Sequence, residues 1–194
     1  SSTGTAGDAA SITLDGRSQE NGTFIQSSDT TITSVAGDID ISGIGAAGEG
    51  VTLNSAARIS TESGAITIVG TSTDGAGMYT DDTGTLISST GTGGSPGNIS
   101  ITGNSTNDDA VYLDAPITSI DANVTVISDD GDIAIFDDGN ITTSTGTITL
   151  DADTTGTSAN VVMEDGAVID AGSAPINVDA DADITLSALT TTNA

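Results

Sequence analysis

The chain has 194 residues with 28 acidic and 2 basic side chains, a formal net charge of −26, and no His, Cys or Trp. That balance excludes recognition of nucleic-acid phosphates or anionic lipid, which rests on Lys and Arg, and the lack of Cys excludes disulfides and thiol chemistry. No apolar run approaches the roughly 18 residues of a membrane span, and aromatic residues, at 2%, are too few to build a core of large rings.

Read from the amino terminus, the first periodic segment places Ile12 and Leu14 two residues apart, a second opens at Phe24 and a third at Ile32. The same triplet then recurs. It runs through Ile39/Ile41, Val51 and Ile59, then Ile66/Ile68, Met78 and Leu86, then Ile99/Ile101, Val111 and Ile117. It continues through Val124/Val126, Ile133 and Ile141, then Ile148/Leu150, Val161 and Val168, and ends with Ile176/Val178, Ile184 and Leu189. The first segments of successive units lie 27, 27, 33, 25, 24 and 28 residues apart. Apolar spacing of two, β-branched residues and frequent Gly all oppose helix. Gly, Ser, Asn and Asp between the segments supply turns.

Three short strands per unit, seven times over, predict an all-β fold: a parallel β-helix (β-solenoid) of about seven triangular three-stranded coils, one domain over residues 1–194. Coils start near residues 12, 39, 66, 99, 124, 148 and 176. A β-sandwich also has short alternating strands. The sequential period, the repeated offsets and the small aliphatic core favour the solenoid. The glycines that bracket "GDIDISG", "GAITIVG" and "GNISITG" are expected to let the backbone bend at corners. The longest interruption, "STGTGGSPG" at 89–97, is expected as a corner insertion in the third coil.

The wording of "GTITLDADTTG" (146–156) and "DADADITLSALTTTNA" (179–194) resembles repeats of large bacterial exoproteins of the filamentous-haemagglutinin type. The resemblance implies a right-handed parallel β-helix, a secreted and extracellular or cell-surface location, and a role as the shaft of an adhesin within a long polypeptide. No capping helix or covering loop is legible at either end, so the expected partners are adjoining coils of a longer chain or copies of the chain stacked end to end.

A solenoid turns sequence offsets into columns. On the first face the outward residues read Thr13, Asp40, Thr67, Ser100, Thr125, Thr149 and Asn177, a hydroxyl-rich ladder of the kind ice-binding surfaces use. On the second face they read Ile25, Thr52, Tyr79, Tyr112, Ala134, Val162 and Thr185, and the apolar members Ile25, Tyr79, Tyr112 and Val162 suggest a lateral protein contact. Small hydroxyls at Ser34, Thr61, Ser88, Ser119 and Thr143 are expected to face inward and hydrogen-bond along a corner.

Acids gather at the corners. Between second and third strands lie Asp29, Asp81, Asp82, Asp114, Asp137, Asp138, Glu164 and Asp165. Between first and second lie Asp108, Asp109, Asp129, Asp130, Asp132, Asp151, Asp153, Asp179, Asp181 and Asp183. Like charges stacked one coil apart repel by about 1 kcal/mol per pair even in water. Ca²⁺ would relieve that repulsion and suits oxygen-rich corners, although neither "DDGD" (129–132) nor "DDGN" (137–140) has the full spacing of a calcium-binding loop. Catalysis is not expected. Polysaccharide lyases of this architecture use cationic groups on their acidic substrates, and here the only bases are Arg17 and Arg58. Two classes of role remain: a structural shaft, or a module that binds a host glycan, a partner protein or ice.

Overall fold

A computed structural model describes residues 11–27, 30–93, 96–152 and 158–192. Asp29, Asp153 and residues 94–95 of the corner insertion lie outside the described residues. The described chain is all β, with 21 strands numbered in chain order and no helix. The first sheet holds β1 (Ile12–Arg17), β4 (Ile39–Ile44), β7 (Ile66–Ser72), β10 (Ile99–Ser105), β13 (Val124–Asp130), β16 (Ile148–Ala152) and β19 (Ile176–Ala180). The second holds β2 (Thr23–Gln26), β5 (Val51–Asn54), β8 (Met78–Thr80), β11 (Val111–Leu113), β14 (Ile133–Ile135), β17 (Val161–Met163) and β20 (Ile184–Thr185). The third holds β3 (Thr31–Ser34), β6 (Arg58–Thr61), β9 (Leu86–Ser89), β12 (Ile117–Ser119), β15 (Ile141–Thr143), β18 (Val168–Asp170) and β21 (Ala188–Thr190).

Every strand pairs in parallel with its counterpart one coil away, so the chain is a β-solenoid of stacked three-stranded coils. The first-sheet strands begin at the seven positions the repeat predicts. Ile12, Ile39, Ile66, Ile99, Val124, Ile148 and Ile176 form one continuous column, and Leu14, Ile41, Ile68, Ile101, Val126, Leu150 and Val178 a second. In the middle coils these side chains are fully buried. Each aliphatic group lies on its like at about the 4.8 Å strand spacing, which gives dense contact without large rings.

The second and third strands depart from the expected frame at three places. Thr23 pairs with Val51 and Ile25 with Leu53, so Ile25 points into the core at 8% exposure and Phe24 points out at 48%. Ile25 therefore leaves the lateral column and Phe24 takes its place. Ile87 pairs with both Ile59 and Ile117, and Ile169 with Ile141, so these isoleucines face inward rather than Leu86 and Val168. The same shift puts Ser89, not Ser88, in line with Thr61 and Ser119.

Three members of that inward hydroxyl column close the third corner, whereas the buried Ser34 Oγ and Ser89 Oγ meet no partner among the described residues. Thr61 Oγ1 accepts the Gly64 N–H at 3.0 Å, Ser119 Oγ the Ala122 N–H at 2.8 Å, and Thr143 Oγ1 the Gly146 N–H at 3.0 Å. Each satisfies a backbone donor of a three-residue turn that the core would otherwise leave unpaired.

The bracketing glycines serve a different purpose from the one expected. Gly43, Gly70 and Gly103 share one column and do not adopt positive φ. A Cβ added to Gly70 would overlap the Gly77 carbonyl, and one on Gly103 the Ala110 carbonyl. They are glycines because the chain, turning into the second sheet, folds back against them. Replacing Gly70 by Ala is expected to cost at least about 2 kcal/mol, whereas Thr67→Ala on the outward face of the same strand stays within about 0.5 kcal/mol. Urea unfolding of the two variants measures the contrast.

Candidate functional site: an aromatic column between acidic corners

On the second sheet Phe24, Thr52, Tyr79, Tyr112, Ala134, Val162 and Thr185 stand in one register column on the outward side. Tyr79 and Tyr112 stack with centroids 4.6 Å apart and planes inclined by 22°. Phe136, one residue beyond β14, adds a third ring 4.2 Å from Tyr112 at 27°. The alternation pattern gave no hint of Phe136, because it lies past the strand and its ring reaches the column from the corner. It occupies the level where the column itself offers only Ala134, which is nearly buried. Thr52, one coil below Tyr79, is buried as well. Tyr112 has both ring faces covered, so the stack presents ring edges and tyrosine hydroxyls outward. A sugar ring that packs on an aromatic face finds no such face on Tyr112.

Carboxylates flank the rings. The Tyr79 hydroxyl donates to Asp81 at 2.9 Å. Burial, that hydrogen bond and the surrounding negative charges hold the Tyr79 hydroxyl well above its usual range. Tyr112 is raised too, by burial first and then by Asp114, Asp81, Glu164 and Asp109. Asp114 is raised by burial and by Asp81, Asp137 and Asp138, partly offset by a backbone hydrogen bond. Its Oδ1 is shielded from solvent with no donor among the described residues. Asp81, Asp114, Asp137 and Asp138 thus share one corner. At the corner between first and second sheets, burial, Asp108 and Asp132 push Asp109 up to about 6.

Several acids are engaged by the backbone. Asp82 accepts the Ser55 N–H of the coil below at 3.0 Å, and Asp81 Oδ1 and Asp108 Oδ1 each accept the N–H of the next residue. Asp132 accepts both the N–H and the side-chain amide of Asn160, at 2.8 and 3.0 Å, and Asn160 in turn accepts the Asp183 N–H at 3.0 Å. Asn98, Asn123 and Asn140 bind the N–H groups of Asn123, Thr147 and Val168 one coil on. This Asp/Asn ladder ties coil to coil along the corners. Asp129, Asp130 and Asp132 surround the turn at Gly131, which has a φ of 93°, and Glu164 and Asp165 precede Gly166, at 105°. Among the described residues, no group of three or more acidic side chains is arranged to hold a metal ion.

The hydroxyl-rich column of the first face is in register as expected, from Thr13 through Asp40 to Asn177. The outward column beside it reads Asp15, Ser42, Val69, Thr102, Ile127, Asp151 and Asp179. The hydroxyls therefore form a single line between mixed neighbours and not a two-dimensional array.

No protein-family model matches the chain, and searches of curated proteins and of solved structures also return no match. Among the described residues, no helix is long and apolar enough to cross a membrane.

Two measurements follow from this geometry. Tyr112→Ala removes both stacking contacts and is expected to lower stability by about 2 kcal/mol, with Tyr112→Phe close to the parent, in chemical denaturation. The raised Asp109 and Asp114 carboxyls mean that the folded chain binds more protons than the unfolded chain in mildly acidic solution. For Asp109 that window runs from about pH 6 down to its ordinary value near 3.8. Its contribution to stability therefore grows as pH falls through the window and is lost as pH rises. The thermal midpoint of the parent is expected to be higher at pH 4.5 than at pH 7, and Asp109→Asn to flatten that slope.

Proposed function

We propose that the chain is a structural shaft segment of an extracellular bacterial fibre or surface adhesin. The observation that carries this reading is the unbroken stacking of all three sheets. Seven coils at about 4.8 Å give a rod roughly 34 Å long, a form suited to spanning distance. The chain supplies no His, Cys or Lys for general acid–base or nucleophilic chemistry, which supports a non-catalytic role. The acidic, thiol-free composition and the exoprotein-like repeat wording support a place outside the cell.

The test is display. The chain is placed between a surface anchor and an epitope, and the epitope's height is read by fluorescence quenching from the surface. A shaft moves the epitope outward by about 34 Å. A binding module, the other reading, would instead show saturable attachment of the isolated chain to a glycan or protein array. No outward shift together with such attachment overturns the shaft.

Calcium belongs to this proposal as a stabilising counter-ion. Support comes from Asp109 and Asp114, whose carboxyls are raised by burial first and by neighbouring carboxylates second. Millimolar Ca²⁺ at matched ionic strength is expected to raise the thermal midpoint above that in EDTA, and to do so more than Mg²⁺, which surrenders its water reluctantly. An unchanged midpoint would leave the acids as a hydrated coat.

A further inference from the structure

The two ends of the solenoid carry the same unfinished columns. In the last coil Ile184 and Leu189, which continue inward columns, are 45% and 42% exposed, and Ile176 and Val178 are only partly covered. In the first coil Ile12, Leu14 and Ile32 are partly covered, and Leu14, Gly16, Ile25 and Ile32 help to line a cavity of about 520 Å³ at that end. β1, β2 and β3 end their sheets on one side, and β19, β20 and β21 on the other.

We infer that the last coil docks under the first coil of a second copy, in the register that already joins neighbouring coils within the chain. This rests on the shaft reading and names the partner of its ends. The register sets Ile12 on Ile176, Leu14 on Val178 and Ile32 on Leu189, completing three inward columns. Within the chain the Ile12 N–H donates to Asp38 and the Ile39 N–H to Ala65, and the same step carried on runs from the Ile176 N–H to the carbonyl of Ser11 in the second copy.

Two outward contacts give the joint its specificity. Phe24 would lie on Thr185, reproducing the order in which Tyr79 lies on Thr52 within the chain. Arg17, five residues after Ile12, would fall on Asp181, five residues after Ile176. Arg17 is one of only two cationic side chains, and no carboxylate among the described residues pairs with it. It also stands diagonal to Asp179, which the register sets against Asp15, so its charge offsets a like pair at the same joint. Joining unlike ends sets Arg17 of the first coil against Asp181 of the last, whereas joining two last coils sets Asp179, Asp181 and Asp183 against their own copies with no base between them. Such a contact is heterologous and propagates.

The full 194-residue chain is tested by sedimentation over a range of concentrations in about 0.15 M salt, where the Debye length of about 8 Å screens the net repulsion of whole chains. The expected result is concentration-dependent linear oligomers one solenoid wide by electron microscopy. Arg17→Glu is expected to weaken association about tenfold, and Arg17→Glu with Asp181→Arg to restore it to within about threefold. Asp181 accepts the Ser158 N–H at 2.9 Å, so Asp181→Arg alters a turn as well. Leu189→Glu, at an already exposed position, supplies an independent block and is expected to abolish oligomers while circular dichroism stays unchanged. A chain that remains monomeric throughout overturns the joint and leaves the ends to adjoining coils of a longer polypeptide. Oligomers indifferent to Arg17→Glu and Leu189→Glu overturn it equally. In either case an epitope still carried outward in the display measurement leaves the shaft reading intact, so the two failures are distinguishable.

Discussion

The whole structure depends on vertical repetition: a residue that points inward in one coil must rest on an inward residue of the next, because the parallel hydrogen-bond ladder fixes the separation at about 4.8 Å. Width is therefore limited, and Ile, Val and Leu suffice where a globular core would need rings. The constraint also reaches the corners. Wherever the backbone of one segment passes close to another, as at Gly70 beneath the Gly77 carbonyl, no side chain fits. Elsewhere a hydroxyl or amide oxygen must reach a neighbouring N–H, as Thr143 does within its turn and Asn123 does across one coil.

The same constraint explains which parts of the fold were legible in the sequence. The starts and inward pairs of the first-sheet strands were readable to the residue because Ile-x-Ile leaves one frame. The three slips all fall where two large apolar residues adjoin: Phe24 with Ile25, Leu86 with Ile87, and Val168 with Ile169. Alternation within the segment cannot choose between the members of such a pair, since a shift of one residue exchanges the two faces. The coils above and below choose, and in each pair the inward place goes to the β-branched isoleucine that continues a column.

The candidate site was legible in part, for a related reason. Tyr79 and Tyr112 share an in-strand column and can be found by counting, whereas Phe136 enters from a corner whose length differs between coils. The acids were found as a crowd, but their separate tasks were not visible. Whether an Asp faces a backbone N–H, as Asp132 and Asp82 do, or is buried beside other carboxylates, as Asp109 is, depends on turn geometry that composition does not encode.

The distribution of charge then follows from the architecture. A narrow solenoid has no interior volume in which to pair ions, so charges must sit on outward strand positions or at corners. Outward strand positions stack at the coil spacing, where Asp over Asp is costly, and among the described residues the strand register sets one such pair, Asp151 and Asp179. Corners allow wider separation and offer N–H donors, which is why most of the acids settle there. Corner acids do not interrupt the ladder, so a shaft can carry a large negative charge without giving up its core. The cost rises only where burial and neighbouring carboxylates coincide, at Asp109 and Asp114, and there the structure shifts the carboxyls toward their neutral form.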